Sequence, residues 1–205
     1  MARAYSIDDI LKKKHKLIEW AGEWYNAFGF VGWVGVWFIW GNSGNGKTSF
    51  IIQLMKVLAQ FFKIAFVSLE EGSDFTVQKS FITHGLQEVR KRIILIEDET
   101  MEEIEARMAK PKSPHVWIVD SFQYADISYK QYRDFKHRHR NKLIILISHA
   151  DGKLPMGRSA RSVMYDATLK IWVEGYRAIS KGRYIGENGG IFTIWPEGEQ
   201  KYWGS

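Results

Sequence analysis

The chain has 205 residues, a formal net charge of +6 at pH 7, and a composition that is 45% hydrophobic and 25% charged. These values are ordinary for one globular domain, or for one domain with a short extension. The absence of cysteine excludes disulfide bonds, thiolate chemistry and cysteine-based zinc sites. The net positive charge permits binding to a polyanion without establishing it.

Residues 1–27 are predicted to form an N-terminal helical extension. Ser6 has the position of a helix N-cap, and residues 12–16 form a basic cluster, Lys-Lys-Lys-His-Lys. Two interpretations of this cluster stay open: a solvated helix face, and a contact with nucleic acid or a neighbouring subunit. The start of the chain has no signal-peptide pattern, and its most apolar stretch is too short to span a membrane. We therefore expect a cytoplasmic protein with no membrane partner.

The main domain, expected over residues 28–205, begins with a strand, a glycine-rich turn and a helix. Residues 36–40 form a short apolar run typical of a buried strand, and residues 49–58 carry apolar side chains at helical spacing. The sequence between them fits the Walker A motif, G-x-x-x-x-G-K-[ST], at every fixed position. The candidate phosphate-binding residues are Gly41, Asn42, Ser43, Gly44, Asn45, Gly46, Lys47, Thr48 and Ser49.

The residue types of this motif suit the binding of a nucleoside triphosphate. Glycines let the backbone curl so that its N–H groups face an anion, and the following helix adds its positive end. Lys47 is expected to reach the β- and γ-phosphates, and the hydroxyl of Thr48 is expected to ligate Mg²⁺. The alternative is a chance match in an ordinary strand–turn–helix unit, which the two fitting flanks disfavour.

Strands and helices alternate along the rest of the chain. Further apolar strands are predicted at residues 64–69, 93–96, 116–119 and 143–147, and helices at residues 74–84, 100–109 and 129–139. Apolar strands that alternate with helices indicate a parallel sheet covered on both faces. Residues 150–163 contain several basic residues and few large apolar ones, a composition that predicts a mobile basic loop. Three short strands, at residues 169–173, 176–183 and 190–195, predict an antiparallel end to the sheet.

A second motif and a second basic run lie in the middle of the chain. Residues 116–120 are four apolar residues followed by Asp120, the Walker B pattern, whose carboxylate serves Mg²⁺. This pattern is weak alone and gains weight because it follows a Walker A motif with strands and helices between. Residues 136–142 hold the basic run, for which a solvated helix end is the simpler interpretation.

In the order and spacing of these motifs over residues 28–195, the chain resembles the RecA-type P-loop ATPases. It is most similar to the RadA and DnaB-helicase branch and to small RecA-like ATP-binding proteins of phages and mobile elements. The resemblance implies an α/β, RecA-like P-loop NTPase fold, with a mostly parallel central sheet flanked by helices and with C-terminal antiparallel strands. It also implies ATP and Mg²⁺ as cofactors.

The resemblance assigns a catalytic role to residues near the γ-phosphate. Glu70, in the S-x-E element at the end of a strand, is the expected base that polarises the attacking water, with Glu71 in reserve. His149 stands where the family places a γ-phosphate sensor. The alternative for Glu70 and Glu71 is that they are two exposed acids at a strand end. The alternative for His149 is that it caps its strand.

The resemblance also implies contacts with other molecules. Lys181 and Arg183 lie in a segment similar to a family motif that reaches the neighbouring subunit's nucleotide site, although two positions depart from it. The alternative is a hairpin with exposed basic residues. Lys153, Arg158 and Arg161 correspond in position to a DNA-contacting loop, and the alternative is any flexible basic loop. Binding there would be mostly through phosphates.

Three functions follow from these assignments. The first is a Mg²⁺-dependent ATPase that forms a homo-oligomeric ring or filament on DNA, expected to be single-stranded, in recombination, repair or replication. The second is a nucleotide-dependent scaffold or regulatory protein with little turnover and no DNA. The third is a small-molecule kinase, which the lack of an arginine-rich lid between the Walker motifs disfavours.

Overall fold

The computed structural model describes residues 4–70 and 72–204. Its strands are β1 (Leu17–Ile18), β2 (Val31–Gly32), β3 (Gly35–Gly41), β4 (Ile64–Ser68), β5 (Ile93–Ile96), β6 (Val116–Asp120), β7 (Leu143–Asp151), β8 (Leu154–Pro155), β9 (Leu169–Glu174), β10 (Arg177–Ser180) and β11 (Ile191–Thr193). Its α-helices are α1 (Ile7–Leu11), α2 (Glu23–Phe28), α3 (Lys47–Leu58), α4 (Phe75–Thr83), α5 (Met101–Met108), α6 (Tyr129–Arg138), α7 (Arg158–Asp166) and α8 (Pro196–Trp203). A 3₁₀ helix spans Leu86–Arg92.

One mixed sheet forms the centre of the molecule, with the strand order β11-β10-β9-β3-β7-β6-β4-β5. Six neighbouring strands of this order are parallel, namely β9, β3, β7, β6, β4 and β5. Strands β10 and β11 are antiparallel to their neighbours. The predicted fold class, a mostly parallel sheet with antiparallel C-terminal strands, is confirmed. We call the edge at which the parallel strands begin the amino edge, and the edge at which they end the carboxyl edge.

The register brings the ends of four parallel strands together at the carboxyl edge. Gly41 of β3 is paired with His149 of β7, and Ser68 of β4 is paired with Asp120 of β6. Parallel strands that end at the same level place their following loops side by side, which is where ligands bind in open α/β sheets. The sheet therefore gathers residues that lie far apart in the sequence.

Apolar layers cover both faces of the sheet. Phe50 of α3 is buried in one layer, and Tyr132 of α6 is buried in the other. The strands are apolar throughout because each face is covered. From the segment expected to form an N-terminal extension, Ile18, Trp20 and Ala27 are buried in the same layer as α3. Among the described residues, no helix is long and apolar enough to cross a membrane.

The prediction of a mobile loop at residues 150–163 was wrong. Strand β7 continues to Asp151 and pairs with β8, and helix α7 begins at Arg158. The buried face of α7 consists of Ala160, Val163 and Met164, which have helical spacing but little apolar bulk. A short amphipathic helix with a small apolar face is easily mistaken for a polar loop.

The end of the chain also differs from the prediction. Strand β10 ends at Ser180, earlier than expected, and a helix that the sequence patterns did not indicate, α8, begins at Pro196. Proline suits the first turn of a helix because its missing N–H would have no intrahelical partner there. Helix α8 packs over the turn between β9 and β10, where Trp203 Nε1 donates a hydrogen bond of 3.0 Å to the carbonyl of Gly175.

Candidate nucleotide site

The phosphate loop connects the carboxyl end of β3 to the first turn of α3. Gly44 and Gly46 have φ angles of 76° and 94°, a left-handed region that disfavours residues with a side chain. At Gly41 a side chain would overlap with the backbone carbonyl of Val173 in the adjacent strand β9. The glycines of the motif are therefore required both by loop conformation and by strand packing.

Asn45 ties the phosphate loop to the turn between β9 and β10. Its side-chain Oδ1 accepts a hydrogen bond of 2.8 Å from the N–H of Gly175, and its backbone carbonyl accepts one of 3.2 Å from the N–H of Tyr176. Its Nδ2 donates to the carbonyl of Ser43 at 3.1 Å. A variable position of the motif thus has a structural role that the motif does not specify.

A cavity of about 220 Å³ lies between the phosphate loop and the strand ends. It is lined by Ser43, Gly44, Gly46, Lys47, Thr48, Ser49, Ile51, Glu70, Asp120, Ile147 and His149. Cavities that enclose whole small molecules are commonly about 300–1,000 Å³, so this one has room for a phosphate chain rather than for a complete nucleotide. The structure therefore brings together the Walker A, Walker B, base and sensor residues expected from the sequence.

His149 and Glu70 contact each other across the cavity. The imidazole Nε2 of His149 donates a hydrogen bond of 2.9 Å to Glu70 Oε2. The two side chains are 31% and 30% exposed, so the bond is accessible to water at the cavity mouth. The expected sensor is therefore positioned to control the orientation of the expected base.

Gln123 holds the strand end that carries His149, a role that the sequence did not indicate. Its Oε1 accepts a hydrogen bond of 3.2 Å from the N–H of His149, and its Nε2 donates to Ser148 Oγ at 2.8 Å and to the carbonyl of Met156 at 3.0 Å. The only sequence signal was a polar residue shortly after Asp120. Three such bonds fix the end of β7 relative to the loop after β6.

The oxygen atoms in the cavity suit Mg²⁺. This ion prefers oxygen ligands and is usually held by one or two carboxylates, water and substrate phosphates. The hydroxyl of Thr48 and the carboxylate of Asp120 line the same cavity beside the phosphate loop. In the described part of the chain no three His, Asp or Glu side chains form a metal cluster, and phosphate oxygens and water would complete the coordination.

Several predicted site residues lie outside this cavity. The N–H of Lys181 donates a hydrogen bond to the carbonyl of Lys170 in β9. Lys170 is paired with Phe38, three residues before β3 reaches the phosphate loop. Lys181 and Arg183 are exposed and do not line the chain's own cavity. Glu71, the reserve base, lies outside the described residues.

The residues expected to contact DNA lie on the β7–β8 hairpin and the start of α7. Lys153 and Arg158 are exposed. Arg161 donates a hydrogen bond of 3.1 Å to the carbonyl of Pro155 and pairs with Asp151 at 3.3 Å, so its guanidinium is engaged within this hairpin. The assignment of these residues to DNA stays a prediction.

The fold has known structural relatives, although no protein-family model and no curated protein matches the chain. The chain is similar to the flagellar accessory protein FlaH from Methanocaldococcus jannaschii, with 16% identity over 86% of this chain and 91% of that one and a TM-score of 0.60. It is also similar to the KaiC-like protein PH0186 from Pyrococcus horikoshii OT3, with 18% identity, coverages of 77% and 88%, and a TM-score of 0.55. The fold is RecA-like. At these identities the likeness establishes the fold alone, so the RadA and DnaB branch and a phage origin stay predictions.

Proposed function

We propose that this protein binds ATP with Mg²⁺ and hydrolyses it. The observation that carries the proposal is the cavity in which Lys47, Thr48, Glu70, Asp120 and His149 meet beside the phosphate loop. Lys47 and Thr48 begin α3, directly after the phosphate loop, and the other three residues lie at or just beyond the ends of β4, β6 and β7. They supply the positive charge, the metal ligands and the carboxylate that hydrolysis of a nucleoside triphosphate requires.

The proposed reaction is direct attack of water on the γ-phosphorus. The backbone N–H groups of the phosphate loop and the ammonium of Lys47 hold the phosphates, and Glu70 aligns the water and accepts its proton. His149 keeps the Glu70 carboxylate oriented by its hydrogen bond. When bound through Thr48 and Asp120, Mg²⁺ neutralises charge on the phosphates.

The test compares MgATP binding and phosphate release in wild type and Lys47→Ala. Loss of a charged hydrogen bond worth about 1.5–3 kcal/mol predicts ATP binding weaker by about 10-fold to 100-fold. The control is Lys56→Ala, because Lys56 lies on the same helix but pairs with Glu88 at 3.0 Å outside the cavity. Equal ATP affinity in wild type and Lys47→Ala would refute the proposed site.

A nucleotide-holding scaffold is the second candidate. The bond between His149 and Glu70 favours it, because a carboxylate engaged by a protein donor is less available to water. ATP binding that depends on Lys47, together with phosphate release no faster than in Glu70→Gln, would support the scaffold and refute the ATPase.

We further propose that the protein assembles as a ring or filament and acts on DNA, expected to be single-stranded. The exposure of Lys181 and Arg183, outside their own cavity, supports a role at a neighbouring subunit's site. Mixing Lys181→Ala/Arg183→Ala subunits with Lys47→Ala subunits tests this role. Partial recovery of ATPase activity is expected, because some interfaces then join an intact site to intact basic residues; no recovery would contradict it.

A further inference from the structure

The two edges of the sheet carry opposite charge. Segments at the amino edge, residues 12–16, 63, 90–92, 110–112 and 133–142, contain 15 of the chain's 29 lysines and arginines and one acid. All but residues 12–16 lead into parallel strands; that segment lies beside the start of β3, where the N–H of Trp33 donates to the carbonyl of Lys16. Segments at the carboxyl edge, residues 42–47, 70, 72–74, 97–103, 120–126, 149–153 and 174, contain 11 of its 23 acids and two lysines. Both basic runs noted in the sequence therefore belong to one surface.

Most cations of the amino edge have no acidic partner among the residues that the structure describes. Lys136 pairs with Asp166 at 2.7 Å, and Arg138 pairs with Glu105 at 2.6 Å. Within residues 4–70 and 72–204, no other lysine or arginine of the amino-edge segments forms an ion pair with a carboxylate. The local field is thus positive and available to an external anion.

Two clefts of nucleotide size adjoin each other on this surface. One, of about 620 Å³, lies against Arg133, Arg140 and Lys142, and its lining also includes the acids Asp134 and Asp166. The other, of about 790 Å³, lies against Lys14 and Lys16, and no acid of the described residues lines it. Both are lined by Val34, and their volumes are within the range of small-molecule sites.

The second cleft also contains an aromatic platform. Trp33 and Tyr184 line it, and the ammonium of Lys16 lies 5.2 Å from the centre of the Trp33 ring. Aromatic rings beside cations are the combination that binds the bases and phosphates of a single strand without sequence preference.

We infer that the amino edge binds the phosphodiester backbone of a single-stranded nucleic acid. This inference rests on the proposed function in which nucleic acid is the partner, and it moves the contact away from Lys153 and Arg158. A second copy of the chain, docking by its acidic carboxyl edge, is the less favoured partner. Acids of that edge are already engaged, since Glu99 pairs with Arg107 and Glu103 caps α5.

The width of the surface sets the expected salt dependence. The five parallel strands β3, β7, β6, β4 and β5 are neighbours in the sheet, and the four spacings between them, each about 4.8 Å, give a width of about 19 Å. A single strand stacked at the helical rise of about 3.4 Å per nucleotide places about six phosphates across this width. Release of counterions from six phosphates predicts that the logarithm of the binding constant falls with the logarithm of salt concentration with a slope of about −4.

The test measures fluorescence anisotropy of labelled oligothymidylate and oligouridylate, without ATP, across a salt series. The amino-edge variant is Lys16→Gln/Arg140→Gln, and the matched control is Lys153→Gln/Arg158→Gln, which removes two exposed charges from the other side. Two lost phosphate contacts predict affinity lower by about 25-fold at about 0.1 M salt and a slope shallower by about 1.4. The control should retain wild-type affinity. Preference for one polymer over the other identifies DNA or RNA as the ligand.

The outcomes separate the inference from the proposed function. Equal affinity in the two variants, or a greater loss in the control, would refute the amino edge and leave a nucleic-acid partner in place. Failure of the wild type to bind either polymer at low salt would refute both, while MgATP hydrolysis would still be measured independently. Self-association of wild type in light scattering, lost in the amino-edge variant and without polymer binding, would assign the surface to a second copy and overturn the inference.

Discussion

The contact between His149 and Glu70 makes a quantitative prediction about catalysis. In Glu70→Gln the side chain keeps its shape and can still accept the hydrogen bond from His149, but it cannot accept a proton from water. Loss of a general base typically costs about 10²-fold to 10⁴-fold in rate, which corresponds to about 2.7–5.5 kcal/mol of barrier. We expect a fall of this size in kcat with no loss of ATP affinity.

The effect of His149→Gln should be smaller and should depend on Glu70. A hydrogen bond to a charged group contributes about 1.5–3 kcal/mol, and the exposure of this pair favours the lower end, or about tenfold in kcat. If His149 acts by orienting the carboxylate, the double variant should be no slower than Glu70→Gln alone, because the amide that the bond then orients is no longer a base.

The assay is phosphate release at saturating MgATP, with affinity measured by a fluorescent ATP analogue. The control is Glu102→Gln, an exposed acid on α5 outside the cavity, which should behave as wild type. A pair that is about one-third exposed to solvent contributes at most about 1 kcal/mol to stability, so thermal unfolding should hardly change in any variant. Fully multiplicative rate losses in the double variant would show that His149 acts directly on the phosphate and would refute this reasoning.

Three further predictions concern stability. Gly41→Ala should lower the free energy of unfolding by about 1–3 kcal/mol in denaturant titrations and weaken ATP binding, because the new methyl group overlaps with the carbonyl of Val173; unchanged values would contradict the close approach of β3 to β9. Tyr132→Phe removes the hydrogen bond of 2.8 Å that the buried hydroxyl donates to Asp166, so the same titration should show a loss of about 1–3 kcal/mol with ATPase activity retained. Burial lowers the pKa of His115, so the unfolded chain binds more protons and the free energy of unfolding should fall as pH drops through the ordinary value of about 6.5. In His115→Gln the free energy of unfolding should fall less steeply with decreasing pH, by at most about 1.4 kcal/mol per pH unit. An identical pH profile in wild type and variant would show that His115 does not cause this pH dependence.

The sequence predicted the parallel core and the centre of the site because both depend on short contiguous patterns. An apolar run followed by Asp120, or by Ser68 and Glu70, specifies a buried strand and the chemistry at its end. The same patterns could not reveal Gln123, because its bonds to β7 arise from the register between strands distant in the chain. Helix α7 was missed because its buried face is small.

The basic surface was hidden for a different reason. Taken alone, residues 12–16 have a simple explanation as a solvated helix face and residues 136–142 as a solvated helix end, and the two runs lie more than a hundred residues apart. Parallel topology places every segment that precedes a parallel strand on the same edge, and the bond from Trp33 to Lys16 adds residues 12–16, so dispersed lysines and arginines become one field. The roles proposed for Lys181 and Arg183 involve a second subunit, so the test with mixed subunits bears on them and the geometry of one chain does not.

The bonds of Asn45 have a consequence for motion. Because its side chain and its carbonyl hold the N–H groups of Gly175 and Tyr176, the phosphate loop cannot shift without releasing the turn that follows β9. Trp203 of α8 holds the carbonyl of Gly175, so the C-terminal helix shares the same point of attachment. Amide hydrogen exchange at Gly175 and Tyr176 therefore reports release of the phosphate loop from this turn. The exchange should slow when a bound phosphate chain stabilises the loop in its bonded position.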